Sequence, residues 1–316
     1  MGHEKHNVAV LGPVLYLTVT VELSSAETDE VHIHPGGQGF WVARMLKHLD
    51  ERPLLCGPIG GEAGKVFLGL LGQFGMDVSP VEIAHHSSVL ISDRRSGERK
   101  VVANSPTVSL ERHEIDDLYG RFLDGSLSAG ISVVTGQSEE ILPVEFFRRL
   151  GHDLASSDVQ VVADLHGPEL WSFLEGGPID VLKVSHDDLR TDGLLGTGPA
   201  TEEALFEAVG RLVEAGARAV VLSRQHEPTL ACFGNTWCAV HAPELDPADH
   251  RGAGDSMTAG LAAALLRGLG QEDTLRLAAA AGAANVTRHG LGSADAELIP
   301  ALTSKVEVDW LSPAPA

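Results

Sequence analysis

Residues Arg251–Leu266 read RGAGDSMTAGLAAALL: three small residues, an acid, then a long apolar run. An acid in front of apolar residues marks a helix start, and N-capping alone would account for Asp255. Capping, however, asks nothing of Gly252, Ala253 and Gly254. Glycines at such a place let backbone N–H groups close around an anion, such as a phosphate oxygen, at the positive end of a helix. A carboxylate beside that cradle suits a base that takes the proton of a hydroxyl during phosphoryl transfer. The stretch therefore predicts a helix over Asp255–Arg267 with phosphoryl chemistry at its first turn.

Working outward, compact apolar runs alternate with amphipathic segments. NVAVLG, PLLCG, ISVVTG, VQVVADL, DVLKVS and RAVVLS have the length and composition of strands covered on both faces. Helical spacing recurs around Val42–Leu49, Gly64–Phe74, Pro143–Leu154 and Thr201–Ala215, and the last third reads as helix-rich, with Gln271–Arg288 and a short element near Ala294–Ile299. This order predicts an α/β fold, a doubly wound, mainly parallel sheet flanked by helices. Two excursions alternate apolar and polar residues instead: LYLTVTVEL with EVHIH, and SVLISDRRSGERKVVA with a turn at Arg94–Glu98. They predict a small sheet, residues 13–35 and 86–104, inserted twice into a main domain of residues 1–12, 36–85 and 105–316. It would act as a lid, a dimer surface or both.

The chain has 316 residues, 43% of them hydrophobic, enough for a large core. Its 44 acidic against 23 basic residues give a formal charge of −21, which argues against nucleic acid and anionic membranes as partners. No apolar run reaches the ~18 residues of a membrane span, and MGHEKHNVAVLG lacks a secretory pattern. Three cysteines without metal spacing (Cys56, Cys232, Cys238) read as free thiols, so the cytoplasm is the expected compartment. His32 and His34 would share a strand face, but with no acid or thiol fixed beside them they read as surface residues. GGEAGK is not a P-loop, since Ile59 stands at its first glycine position and Val66 follows Lys65. Arg94, Arg95, Arg99 and Lys100 read mostly as a solvated hairpin.

Nearly the whole chain resembles the ribokinase/PfkB family of sugar kinases, in its phosphofructokinase-B, 1-phosphofructokinase and tagatose-6-phosphate kinase branch. HPGGQGFWVARMLKHLD resembles the family's N-terminal glycine signature, CGPIGGEAGKVFLGLLGQFGMDV the next strand and helix, and VVADLHGPELWSFLEGGPIDVLKVSHDDL its middle. RGAGDSMTAGLAAALLRGL is similar to its C-terminal signature. The resemblance implies a ribokinase-like fold, an anion hole from Gly252, Ala253 and Gly254, and Asp255 as catalytic base. It implies ATP and Mg²⁺, the metal held indirectly, through water, by Asp188. Lys183, Ser185, Asp188, Ser223 and Asn285 would line the nucleotide, and Gly36, Gly37, Gln38, Tyr16, Trp41 and Gln137 the substrate.

Several of these positions depart from the family pattern. Tyr16 replaces a sugar-binding Asp, Trp41 an Asn, Gln38 a Lys and Gln137 a Ser. The family's Asn-x-x-Glu is SHDD, Ser185 to Asp188, and its nucleotide-loop glycines give way to SRQHEP, with Gln225 and Pro228. Aromatic rings offer faces and one donor each where an acid pairs with two hydroxyls, unless Trp41 turns into the core. Proline has neither an N–H nor a positive φ, so the loop is reshaped or the donor differs. Three functions stay open: a kinase for a sugar, sugar phosphate or small polyol; a nucleoside-type kinase; and a binding or regulatory protein on a kinase scaffold. A homodimer through the lid is expected.

Overall fold

The computed structural model describes residues 5–311 except 25, 137–140, 197, 199, 226, 244, 246–251 and 287–297. In its large sheet β1 (Val8–Leu11) is flanked in parallel by β4 (Pro53–Ile59) and β8 (Ile131–Thr135). Beyond β4 runs β5 (Asp77–Glu82); beyond β8 run β9 (Gln160–Asp164), β10 (Val181–Ser185) and β11 (Ala219–Arg224), all parallel. β12 (Glu227–Phe233), β13 (Thr236–His241) and β14 (Glu307–Leu311), in antiparallel pairing, bring this sheet to ten strands among the described residues. Strand order reverses at β1, and in such sheets ligands sit beyond the carboxyl ends of the strands near that point.

Alternation along β1 divides the core. Val8 and Val10 face one side, packing with α1 (Gln38–His48), α2 (Gly61–Gln73), α8 (Ala253–Leu266) and α9 (Gln271–Val286). Ala9 and Leu11 face α3 (Arg112–Ala129), α4 (Val144–Ser156), α5 (Gly167–Gly176), α6 (His186–Thr191) and α7 (Glu202–Glu214). α8 is buried over most of its length, so it is apolar nearly all round. A Cβ on its Gly260 would stand 2.7 Å from the Ala278 Cα of α9, so only glycine permits this backbone approach. At its far end the Arg267 guanidinium donates to the Leu49 carbonyl and, at 2.9 Å, to Glu51, which also takes a 2.7 Å bond from Asn7.

A second sheet of four strands, ordered β3 (Asp29–Gly36), β2 (Tyr16–Leu23), β6 (Ser88–Asp93), β7 (Lys100–Asn104), is built from the two alternating excursions. Cross-strand partners Val19–Ile33, Val21–Val31 and Val19–Ile91 gather its apolar side chains on one face. Val31 is 61% and Ile33 45% exposed, so that face is largely uncovered.

The structure departs from the sequence reading in particular places. The first helix begins at Gln38, not Val42, because Gly37 takes φ +117° and turns the chain into it at once. Asp255 is not the cap: Gly252, left-handed at φ 77°, is, and Asp255 falls in the first turn. The helix-rich last third also contributes β12 to β14; its short helix, α10 (Leu298–Thr303), covers the last two residues of the element expected near Ala294–Ile299, whose first four lie outside the described residues. α3, α5 and α6 were not anticipated as helices.

Candidate active site

The carboxyl ends of β9 and β10 deliver Asp164 and Lys183 beneath the first turn of α8. The Lys183 ammonium lies 3.3 Å from the Asp164 carboxylate, which also accepts a 2.9 Å bond from the Thr258 hydroxyl. Asp164 and Lys183 are each 7% exposed, and Thr258 is fully enclosed. Lys183 runs so close to α8 that a Cβ at Gly254 would stand 2.8 Å from its Nζ. Burial works against the ammonium, but Asp164, Asp255 and Asp188 together outweigh it and hold the pKa above the ordinary lysine value.

Asp255 retains some solvent contact at the mouth of this cluster. Desolvation first, and the Asp164 charge second, push its carboxyl up to about 7; Lys183 and a side-chain hydrogen bond from Gln38 oppose them. Gln38 stands at the start of α1, so α1 and α8 meet at one carboxylate. Gly37 cannot carry a side chain there: its Cβ would lie 2.2 Å from the Val14 carbonyl oxygen.

Around this centre the sequence-selected residues separate. Tyr16 packs across Gly36, its cross-strand partner, and meets Trp41 edge-on, ring centroids 6.1 Å apart. Trp41 also packs against the main core, as its alternative reading expects. Ser185 and Asp188 form a reciprocal capping box: the Ser185 hydroxyl accepts the Asp188 N–H at 3.0 Å, and Asp188 Oδ2 accepts the Ser185 N–H at 2.7 Å. The Ser223 hydroxyl donates to the Val184 carbonyl at 3.4 Å. Asn285 in α9 is fully buried, and Gln137 lies outside the described residues. β11 and β12 are joined at Gln225, which takes φ +48° in place of a glycine, and its amide donates to Asp187 at 2.8 Å. His32 and His34 stack 6.0 Å apart, and no metal-holding cluster of His, Cys, Asp or Glu occurs among the described residues.

Sequence reasoning missed Asp164 and Thr258. The signal was present: a lone acid closing the apolar run VVAD, and a hydroxyl three residues after Asp255.

A family model, "pfkB family carbohydrate kinase", matches residues 5–297. The chain belongs to this family of carbohydrate kinases. The kinase is 26% identical over 281 residues to a Bacillus subtilis 1-phosphofructokinase, covering 88% of this chain and 89% of that one. It is 25% identical over 259 residues to the Escherichia coli ATP-dependent 6-phosphofructokinase isozyme 2, covering 81% and 82%. In fold it is similar to E. coli phosphofructokinase-2 crystallised with potassium (TM-score 0.84, 21% identity, 96% and 99% covered). It is also similar to a carbohydrate kinase from Agrobacterium tumefaciens (TM-score 0.74, 19% identity, 97% and 100% covered). No described helix of the kinase is long and apolar enough to cross a membrane.

Proposed function

We propose that the kinase transfers the terminal phosphoryl group of ATP to a hydroxyl of a sugar phosphate, with Asp255 as the general base. The observation that carries this reading is the seating of Asp255: first turn of α8, after a left-handed Gly252, against Lys183 and Gln38. The Asp255 carboxylate accepts the hydroxyl proton as the oxygen–phosphorus bond forms. The Gln38 amide orients that carboxylate, the N–H groups of the Gly252–Gly254 turn receive phosphoryl oxygens, and Lys183 balances their charge. The glycines Gly36 and Gly37 let the chain pass close to the acceptor beside Tyr16 and Trp41.

A magnesium ion fits the residues present only loosely. Asp188 Oδ2 is committed to its capping box, while Oδ1 can hold a water of the ion, which keeps its hydration and prefers oxygen. When bound, Mg²⁺ would neutralise phosphate charge. The small sheet, residues 13–35 and 86–104, acts as the lid in this reading, and its uncovered apolar face pairs with a second copy to make a homodimer. One solved structure of E. coli phosphofructokinase-2 is described as a tetrameric inhibited form.

The test is turnover of Mg·ATP with fructose 1-phosphate, fructose 6-phosphate and tagatose 6-phosphate, with nucleosides as contrast. Asp255→Asn is expected to lose about a thousandfold in kcat with its circular dichroism unchanged. Undiminished turnover by that variant removes Asp255 as the base. Turnover of nucleosides alone makes this a nucleoside kinase, and no turnover by the wild type supports a binding role.

A further inference from the structure

Two residues past Asp164 the chain carries a pair that the reading above does not use. Asp192, at the carboxyl end of α6, is only 6% exposed. Its Oδ2 accepts the Gly167 N–H at 2.7 Å and its Oδ1 the His166 ring nitrogen Nδ1 at 3.2 Å. The ring itself is 42% exposed. His166 is the N-cap residue of α5 but its side chain makes no capping bond, while Asp192 takes the first N–H of that helix, from Gly167. An imidazole there serves the helix poorly, and capping by Asp192 does not require one. Its place in the fold gives it another use.

The backbone at His166 is extended, φ −146° and ψ 175°. Side chains alternate along extended chain, so His166 leaves on the face of Asp164, while Leu165 between them is 1% exposed in the opposite core. Two residues of extended chain span about 7 Å, which keeps the His166 backbone just past the carboxyl end of β9 at the ligand edge of the sheet. With Nδ1–H donated to Asp192, the ring is fixed in orientation and Nε2 points away from its anchor. The same short helix that ends in Asp192 begins with Ser185 and Asp188 on the donor side.

We infer that His166, held by Asp192, binds the phosphate chain of the phosphoryl donor through Nε2. In the bound state the ring gives one N–H to each neighbour, Nδ1–H to the enclosed Asp192 carboxylate and Nε2–H to a phosphate oxygen. His166 is thus a donor-binding residue and Asp192 its positioning residue. This inference rests on the kinase reading for the identity of the donor.

The experiment measures calorimetric binding of Mg·ATP and of tripolyphosphate to the wild type, His166→Asn, His166→Gln and Asp192→Asn, together with KM for donor and acceptor. Asn reproduces the position of Nδ1 and Gln that of Nε2. His166→Asn is expected to weaken both polyphosphates about tenfold, at unchanged acceptor KM and melting temperature, with His166→Gln recovering part of the loss. Asp192→Asn, which keeps the Gly167 bond through its carbonyl, is expected to weaken both by a smaller factor. Equal donor binding by wild type and His166→Asn overturns the assignment while wild-type turnover leaves the kinase reading standing. So does full retention in Asn with loss in Gln, since that marks a purely structural role. A wild type that binds neither polyphosphate overturns both readings.

Discussion

Asp255 ionises near pH 7 because burial and Asp164 outweigh Lys183 and Gln38. A base must be deprotonated to work, so kcat/KM should climb through an acid limb centred near pH 7. Lys183→Met removes an attraction that lowers this pKa, and the limb should move to higher pH as well as fall in height; a pH–rate profile of both proteins decides. The stability linkage has the opposite sense from an ordinary salt-bridged carboxylate. The folded group keeps its proton to about 7 and the unfolded group only to 3.8, so its stabilisation is complete below the lower value and lost as pH rises to the upper. Asp255→Asn cannot ionise. Thermal denaturation should therefore find it more stable than wild type at pH 8, by the order of 1 kcal/mol after screening by cleft solvent, with the gain vanishing near pH 4.

The start of α8 is shaped by the absence of side chains. In Gly254→Ala the new methyl would meet Lys183 Nζ, the free end of a flexible chain, so the fold should absorb it while the ammonium is displaced. Assayed, this variant should keep its melting temperature and lose about tenfold in kcat/KM. Gly37→Ala should instead lose more than about 2 kcal/mol in denaturant unfolding, because its Cβ meets backbone at a φ of +117°. The Gly-Ala-Gly-Asp turn, the parallel strands and the small sheet were legible in the sequence, since each has its own period or turn chemistry. The meeting of Gln38 with Asp255 was not: they stand in different helices, and only the crossing of α1 over α8 joins them. Nor was the capping box of Ser185 and Asp188 separable from a metal motif, because hydroxyl and carboxylate three apart serve either end. β12 and β14 do not stand out because Pro228, Thr229 and the exposed Glu307 break the apolar runs that announce the parallel strands, and β13 mixes the exposed Thr236 and the half-buried His241 with its apolar residues.

Across the whole molecule, the large sheet with its two helical layers contrasts with a small sheet open on its apolar face. If that face closes a dimer, Val31→Glu with Ile33→Glu should turn a dimer into a monomer in sedimentation velocity at unchanged circular dichroism; a monomeric wild type dismisses the dimer. The anchoring of α8 bears on the molecule's history. Arg267, Glu51 and Asn7 fasten one end of that helix, and Gly260 against Ala278 leaves no room for it to slide. In the proposed reading the base is therefore bolted to the floor of the cleft, whereas the small sheet arrives as two separate inserts, one between β1 and α1 and the other between β5 and α3. Substitutions in such an insert, at Tyr16 for instance, can then alter the proposed acceptor site without disturbing the part proposed to move the proton.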